Sequence, residues 1–180
     1  MGFRLYKTNG NDTRPKRYRL IKNSEVIKVG DAIIDEATGA ANVDAITEAI
    51  FGIATAICTS DRISLESASV DTSKYDGAWT TSTKSYTAAV NNETVKGVLV
   101  EYIPLREGDQ LLATLDAAKG TTTGSNKEGY YIAIKTSDSS LLAESTASTS
   151  SSNTQFIIRD PLSGGSTTEV VVECHLRQPE

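Results

Sequence analysis

The run Val43-Asp44-Ala45-Ile46-Thr47-Glu48-Ala49-Ile50-Phe51-Gly52-Ile53-Ala54-Thr55-Ala56-Ile57-Cys58 decides whether this chain is partly helical or all-β. Ile46, Ala49, Ile50 and Ile53 fall at helical spacing and would support a helix of about four turns. Gly52 costs such a helix about 1 kcal/mol relative to alanine, and Phe51, Ile53, Thr55 and Ile57 alternate with small residues as a strand does. The reading adopted is a buried strand over Ile50 to Cys58, with at most one helical turn before it.

The flanking sequence follows the same period of two. Tyr18-Ile21, Val26-Val29 and Ala32-Asp35 are short apolar runs separated by Asn, Gly and Asp, which mark turns. Further strands are expected at Arg62-Leu65, Gly97-Ile103, Gln110-Leu115, Tyr130-Lys135, Ser140-Ala143, Gln155-Arg159 and Glu169-Leu176. Some ten strands without a convincing long helix predict an all-β protein, a β-barrel or β-sandwich with little helix. The expected core comprises Val29, Ile33, Ile50, Ile53, Ile57, Val98, Val100, Leu112, Leu115, Ile132, Ile134, Ile157, Val170 and Val172.

Two regions depart from this texture. Residues 1–15 read as an extended N-terminal arm, in which Phe3 and Leu5 alternate with Arg4 and Tyr6 before an Asn9-Gly10-Asn11-Asp12 turn. Residues 16–180 form the β-rich domain, interrupted by a polar insertion at about 67–92 that contains the only tryptophan, Trp79, together with Tyr75 and Tyr86. Such an insertion is a loop with a function or a peripheral hairpin.

Charge is distributed unevenly. The first 28 residues carry eight basic and two acidic side chains, a net of +6, whereas the remainder carries 10 basic and 21 acidic, a net of −11. An acidic whole argues against a general nucleic-acid binder, and one tyrosine in Arg14-Pro15-Lys16-Arg17-Tyr18-Arg19 is a thin stacking platform. The basic segment is expected to meet a protein, with no nucleic acid and no membrane as partner.

Catalytic patterns are weak. The loop Gly120-Thr121-Thr122-Thr123-Gly124-Ser125-Asn126-Lys127 lacks the P-loop order, in which lysine directly follows the second glycine. Cys174 and His175 are adjacent and point to opposite faces of a strand, so they do not converge on a metal. Asp31, Asp35, Glu36, Asp44, Glu48, Glu101, Asp109 and Asp116 are scattered, and nothing selects a glycosidase pair among them. No catalytic residue, metal or cofactor is expected, and the chain is not read as an enzyme.

Cys58 and Cys174 are expected as two buried free thiols in a reducing compartment. Met1-Gly2 lacks the Ser or Thr of an acylation signal, since Tyr6 occupies that place, and no secretory leader is apparent. Asn11-Asp12-Thr13 and Asn92-Glu93-Thr94 match the glycosylation pattern but are read as coincidental. The longest apolar stretch is about half of what a helix needs to span a bilayer, and a soluble protein is expected.

The order of pieces carries a resemblance: the Met1-Gly2-Phe3-Arg4-Leu5-Tyr6-Lys7 opening, the Lys28-Val29-Gly30-Asp31-Ala32 hairpin, Ile50-Phe51-Gly52-Ile53-Ala54, Val100-Glu101-Tyr102-Ile103-Pro104, and Asp109-Gln110-Leu111-Leu112-Ala113-Thr114-Leu115, closed by a strand at Glu169-Val172. This resembles the β-rich decoration, or cement, proteins of tailed-bacteriophage capsids. The resemblance implies a structural virion protein made in the host cytoplasm. It would bind the outer surface of an assembled head and stabilise contacts between major capsid protein subunits, often as a homo-trimer.

In that reading Phe3, Leu5 and Tyr6 would anchor the arm. Arg4, Arg14, Lys16, Arg17 and Arg19 would orient it, and removal of residues 1–15 would leave a folded body. The alternative is a surface-displayed adhesion or carbohydrate-binding β module, with Tyr75, Trp79 and Tyr86 as an outward-facing aromatic surface. Trp79 can equally be a half-buried residue that closes a loop or a subunit contact.

Overall fold

A computed structural model describes residues 2–7, 14–92, 97–120, 124–150, 154–162 and 168–175. The Asn9-Asp12 turn, both glycosylation patterns in whole or part, the middle of the 120–127 loop and Leu176 lie outside the described residues. The protein is all-β. Its strands are β1 (Arg4–Lys7), β2 (Arg17–Leu20), β3 (Val26–Lys28), β4 (Ala32–Glu36), β5 (Gly39–Asn42), β6 (Gly52–Cys58), β7 (Ala78–Thr80), β8 (Ser85–Thr87), β9 (Leu99–Pro104), β10 (Gln110–Leu115), β11 (Tyr131–Ile132), β12 (Ile134–Lys135), β13 (Asp138–Leu142), β14 (Phe156–Asp160) and β15 (Glu169–Cys174). Two single turns of 3-10 helix, Thr72–Lys74 and Glu144–Thr146, are the helical content among the described residues.

Three sheets enclose two cores. A five-stranded sheet runs β2-β9-β6-β4-β5, and its ends meet where Ile21 bridges Ala40, so it nearly closes on itself. Ile21, Ile33, Ala40, Ala54, Ile57, Val98, Val100 and Tyr102 pack within that curl. The three-stranded sheet β3-β8-β7 covers them with Ile27 and Tyr86. On the other face, Ala32, Ile34, Ala41, Ile50 and Ile53 pack against the seven-stranded sheet, in which β11-β14-β15-β10-β13-β12 are joined by β1 on β10.

Strand β4 shows the period-two logic directly: Ala32 and Ile34 enter one core and Ile33 the other, as a strand buried on both faces requires. The ambiguous run is a strand from Gly52, with a turn closed by Glu48 N–H to the Ala45 carbonyl before it.

Several expectations are corrected. Phe3 is buried at 2% exposure and its ring stacks on Phe156 at 5.3 Å. Arg4–Lys7 pair with β10, so the described part of the 1–15 segment is a strand of the body and not a free arm. Arg62–Leu65 is a turn, with Arg62 at φ 63 and one bridge between Ser64 and Cys58. Val29, Leu112 and Ile157 are only half-buried, whereas their neighbours Leu111, Phe156 and Ile158 are fully buried. The insertion is folded into the body, since β7 and β8 complete the three-stranded sheet.

The N-terminal segment enters through a close approach of two glycines. Phe3 N–H donates to the Gly30 carbonyl at 2.9 Å, and Gly30 has φ +94 with the Gly2 Cα 2.9 Å from where a Cβ would stand. We predict that Gly30→Ala destabilises the fold by about 1–2 kcal/mol, because it adds a side chain at positive φ and displaces Gly2. Chemical denaturation checks this; an unchanged midpoint would contradict it.

Candidate functional site

The basic N-terminal segment is matched from within. Arg4 pairs with Glu169 at 3.3 Å, Lys16 with Glu101 at 2.8 Å, Arg19 with Asp35 at 2.7 Å, Lys22 with Glu36 at 2.6 Å and Lys28 with Asp138 at 2.7 Å. Arg14 holds Asp109 with both terminal nitrogens and donates to the Pro104 carbonyl at 3.0 Å. Six of the eight basic residues expected to face a partner are therefore ion-paired to the acidic body. Arg19–Asp35 and Lys22–Glu36 lie across the seam of the curled sheet, so these charges close the fold.

Arg14 and Asp109 differ from the others in burial: 4% and 0% of their side chains are exposed. Asp109 Oδ2 also accepts Arg106 N–H at 2.6 Å, which ties the 106–109 turn to the pair. This is a structural lock, and Arg14 is withdrawn from any docking surface.

Glu101 is organised by a β-bulge. The β6–β9 register shifts between Ala54 and Ala56, and a bulge re-aims its extra residue. Here it sets the Thr55 hydroxyl 2.9 Å from Glu101 Oε1, while the Tyr18 hydroxyl donates to Oε2 at 2.9 Å. Arg62 lies over the Tyr18 ring at 4.9 Å. Burial works to raise the Glu101 pKa, but Lys16, Thr55 and Tyr18 outweigh it and hold it below the usual carboxylate value.

A depressed folded pKa stabilises above the unfolded carboxylate value and loses that stabilisation as pH falls through the folded one. We therefore predict that Glu101→Gln costs about 1–2 kcal/mol at neutral pH. The gap to wild type should close as pH falls through the depressed Glu101 value. Urea titrations of both proteins across pH test it; a gap independent of pH would contradict it.

The exposed apolar surface lies at β1. Leu5 is 37% and Tyr6 63% exposed, and among the described residues no strand pairs with the edge of β1 that faces away from β10. Beside it opens a cleft of about 450 Å³, lined chiefly by Phe3, Leu5, Val29, Ile53, Ile103 and Leu105, with Thr55 and Lys84 as polar points. The arrangement offers main-chain hydrogen-bonding groups next to an apolar slot, which is what an added strand needs. Sequence reasoning named Phe3, Arg4, Leu5 and Tyr6 but missed the cleft, whose other walls come from β6, β9 and the turn after β3.

The aromatic surface expected at Tyr75, Trp79 and Tyr86 faces inward. Trp79 and Tyr86 are directly paired across β7 and β8; Tyr86 is 1% exposed, and Trp79 and Tyr75 pack against the inner core. An open stacking platform is therefore not formed by these three. Arg17 and Arg19 lie on β2, Arg17 exposed and Arg19 half-buried.

The remaining candidates are structural. Asp35, Glu36, Glu48, Glu101, Asp109 and Asp116 each accept from groups of the protein itself. Cys58 and Cys174 are buried and unlinked, and Cys174 belongs to the core packed against the seven-stranded sheet. Burial pushes the Cys58 thiol up to about 11, away from the thiolate that reactivity requires. His175 stacks edge-on against Tyr131 at 5.3 Å. Among the described residues no helix is long and apolar enough to cross a membrane. Comparison with protein-family models, curated proteins and solved structures returned no match.

Proposed function

We propose that the protein is a non-enzymatic virion component that docks on the outside of an assembled tailed-phage head and stabilises contacts between major capsid protein subunits, as a homo-trimer. The observation that carries this reading is the open edge of β1, with Leu5 and Tyr6 exposed beside the apolar cleft. An edge strand gains main-chain hydrogen bonds from a partner strand without a preformed enzyme-like pocket. The resemblance to decoration proteins supplies the class of partner.

The paired charges refine how docking works. Because six of the eight basic residues already meet internal carboxylates, attachment rests chiefly on main-chain pairing and apolar burial rather than on a basic arm. Binding of that kind changes little with ionic strength, whereas a charge-led grip weakens sharply.

The test is co-sedimentation of the purified protein with assembled heads stripped of outer proteins, at low and high salt. Saturable binding that persists in high salt supports the proposal. Absence of binding at either salt would overturn it.

A further inference from the structure

The three sheets meet at a second, polar cavity of about 200 Å³ lined by Val26 and Lys28 of β3, Asp31 ahead of β4, Asn42 of β5, and Ser137, Asp138 and Ser139 at the start of β13. Asp31 is 2% exposed. Its Oδ2 accepts Lys28 N–H at 2.8 Å, but its Oδ1 is buried with no hydrogen-bond partner, and so is Asn42 Oδ1. The Asn42 amide cannot be turned to relieve this, because its nitrogen donates to the Val26 carbonyl and a reversed amide would set two acceptors together.

Charge in the cavity is also unequal. Two carboxylates line it against one ammonium, Lys28, whose Nζ lies on Asp138 Oδ1 at 2.7 Å while Asp31 Oδ1 receives no donor. Burial drives the Asp31 pKa up to about 7, as expected of a carboxyl that has lost water without gaining a cation. Where Asp31 is ionised, water could donate to the two orphan oxygens but would leave the excess charge in place.

We propose that this cavity is a divalent-cation site of the calcium type, with Asp31 Oδ1, Asn42 Oδ1 and the Asp138 carboxylate as protein ligands and water completing the shell. Calcium accepts a mixture of carboxylate, amide and water oxygens in irregular geometry, whereas magnesium demands a stricter octahedron and gives up water reluctantly. The donor set here is two carboxylates and one amide, and no three His, Cys, Asp or Glu side chains converge among the described residues. The ion would replace the Lys28 ammonium on Asp138, release that partly exposed side chain to solvent, and tie β5 and the turn ahead of β4 to β13.

The experiment is thermal unfolding and calorimetric titration of the purified protein with calcium chloride, magnesium chloride or sodium chloride at matched ionic strength. For a site of roughly millimolar affinity, about 10 mM calcium raises Tm by about 3–6 °C, magnesium by less and sodium not at all. Asp31→Asn, which keeps the shape and removes the charge, abolishes the shift; Lys28→Met, which removes the competing ammonium, tightens calcium binding about tenfold or more. A wild-type Tm indifferent to calcium, or an equal shift in Asp31→Asn, would overturn the proposal. The measurement uses the isolated protein, so its failure leaves the capsid-docking reading untouched.

Discussion

Replacing Arg14 by alanine is expected to remove about 3–5 kcal/mol of stability, a large share of the 5–15 kcal/mol that holds a typical domain together. The reason is what remains. Asp109 has no exposed side-chain surface, and without the guanidinium its charge keeps Arg106 N–H but loses the two-nitrogen grip. The Pro104 carbonyl loses its donor as well. Breaking one partner of a buried pair costs far more than the pair contributes, because an uncompensated charge stays in low dielectric.

Arg14→Lys keeps the charge without the planar fork and should fall between wild type and alanine. In the double variant Arg14→Ala/Asp109→Ala part of the loss should be recovered, with a coupling of about 2–3 kcal/mol. Guanidinium denaturation of wild type, Arg14→Lys, Arg14→Ala, Asp109→Ala and the double variant measures it. A loss below about 1 kcal/mol for Arg14→Ala would place the pair among ordinary surface bridges.

The same pair changes how the N-terminal segment should be probed. Truncation through residue 15 removes Arg14 and also Phe3, whose ring stacks on Phe156, so it damages the body along with the edge. Substitutions at the exposed positions are cleaner. Leu5→Glu combined with Tyr6→Ala alters side chains that are 37% and 63% exposed and should change stability by less than about 1 kcal/mol. If Leu5 and Tyr6 are the centre of the contact, affinity for heads falls about thirtyfold or more, since a central anchor contributes about 2 kcal/mol or more.

Much of the fold was legible in the sequence, and the failures have physical causes. Alternation identified the strand after Ile50, and most of the residues it named as core lie in one core or the other. It misjudged Leu112 because Gln110-Leu111-Leu112-Ala113-Thr114-Leu115 has apolar residues in both phases. Leu112 and Leu115 cannot share a face, and packing against the curled sheet selects Leu111, Ala113 and Leu115. Ile157 fails for the same reason between Phe156 and Ile158.

Strand β5, Gly39-Ala40-Ala41-Asn42, has little intrinsic β preference; its small side chains are buried where the sheet edges meet. Strands β7 and β8 were hidden in a Ser/Thr-rich stretch because one face of their hairpin is solvated and the other presents chiefly Trp79 and Tyr86.

The charge split shows most clearly what a sequence withholds. Eight basic residues near one end suggested an outward grip, yet Lys22 meets Glu36 across 14 positions, Arg14 meets Asp109 across 95 and Arg4 meets Glu169 across 165. Local counting cannot find partners that only the closed sheets bring together. On the proposed reading, the surface for recognition is short, apolar and at an edge.

The most direct test of that claim is quantitative co-sedimentation of wild type and Leu5→Glu/Tyr6→Ala with stripped heads in high salt, each protein first shown to unfold at the same denaturant midpoint. The account predicts retained wild-type binding and loss of the variant from the pellet. Equal binding by both proteins would contradict it.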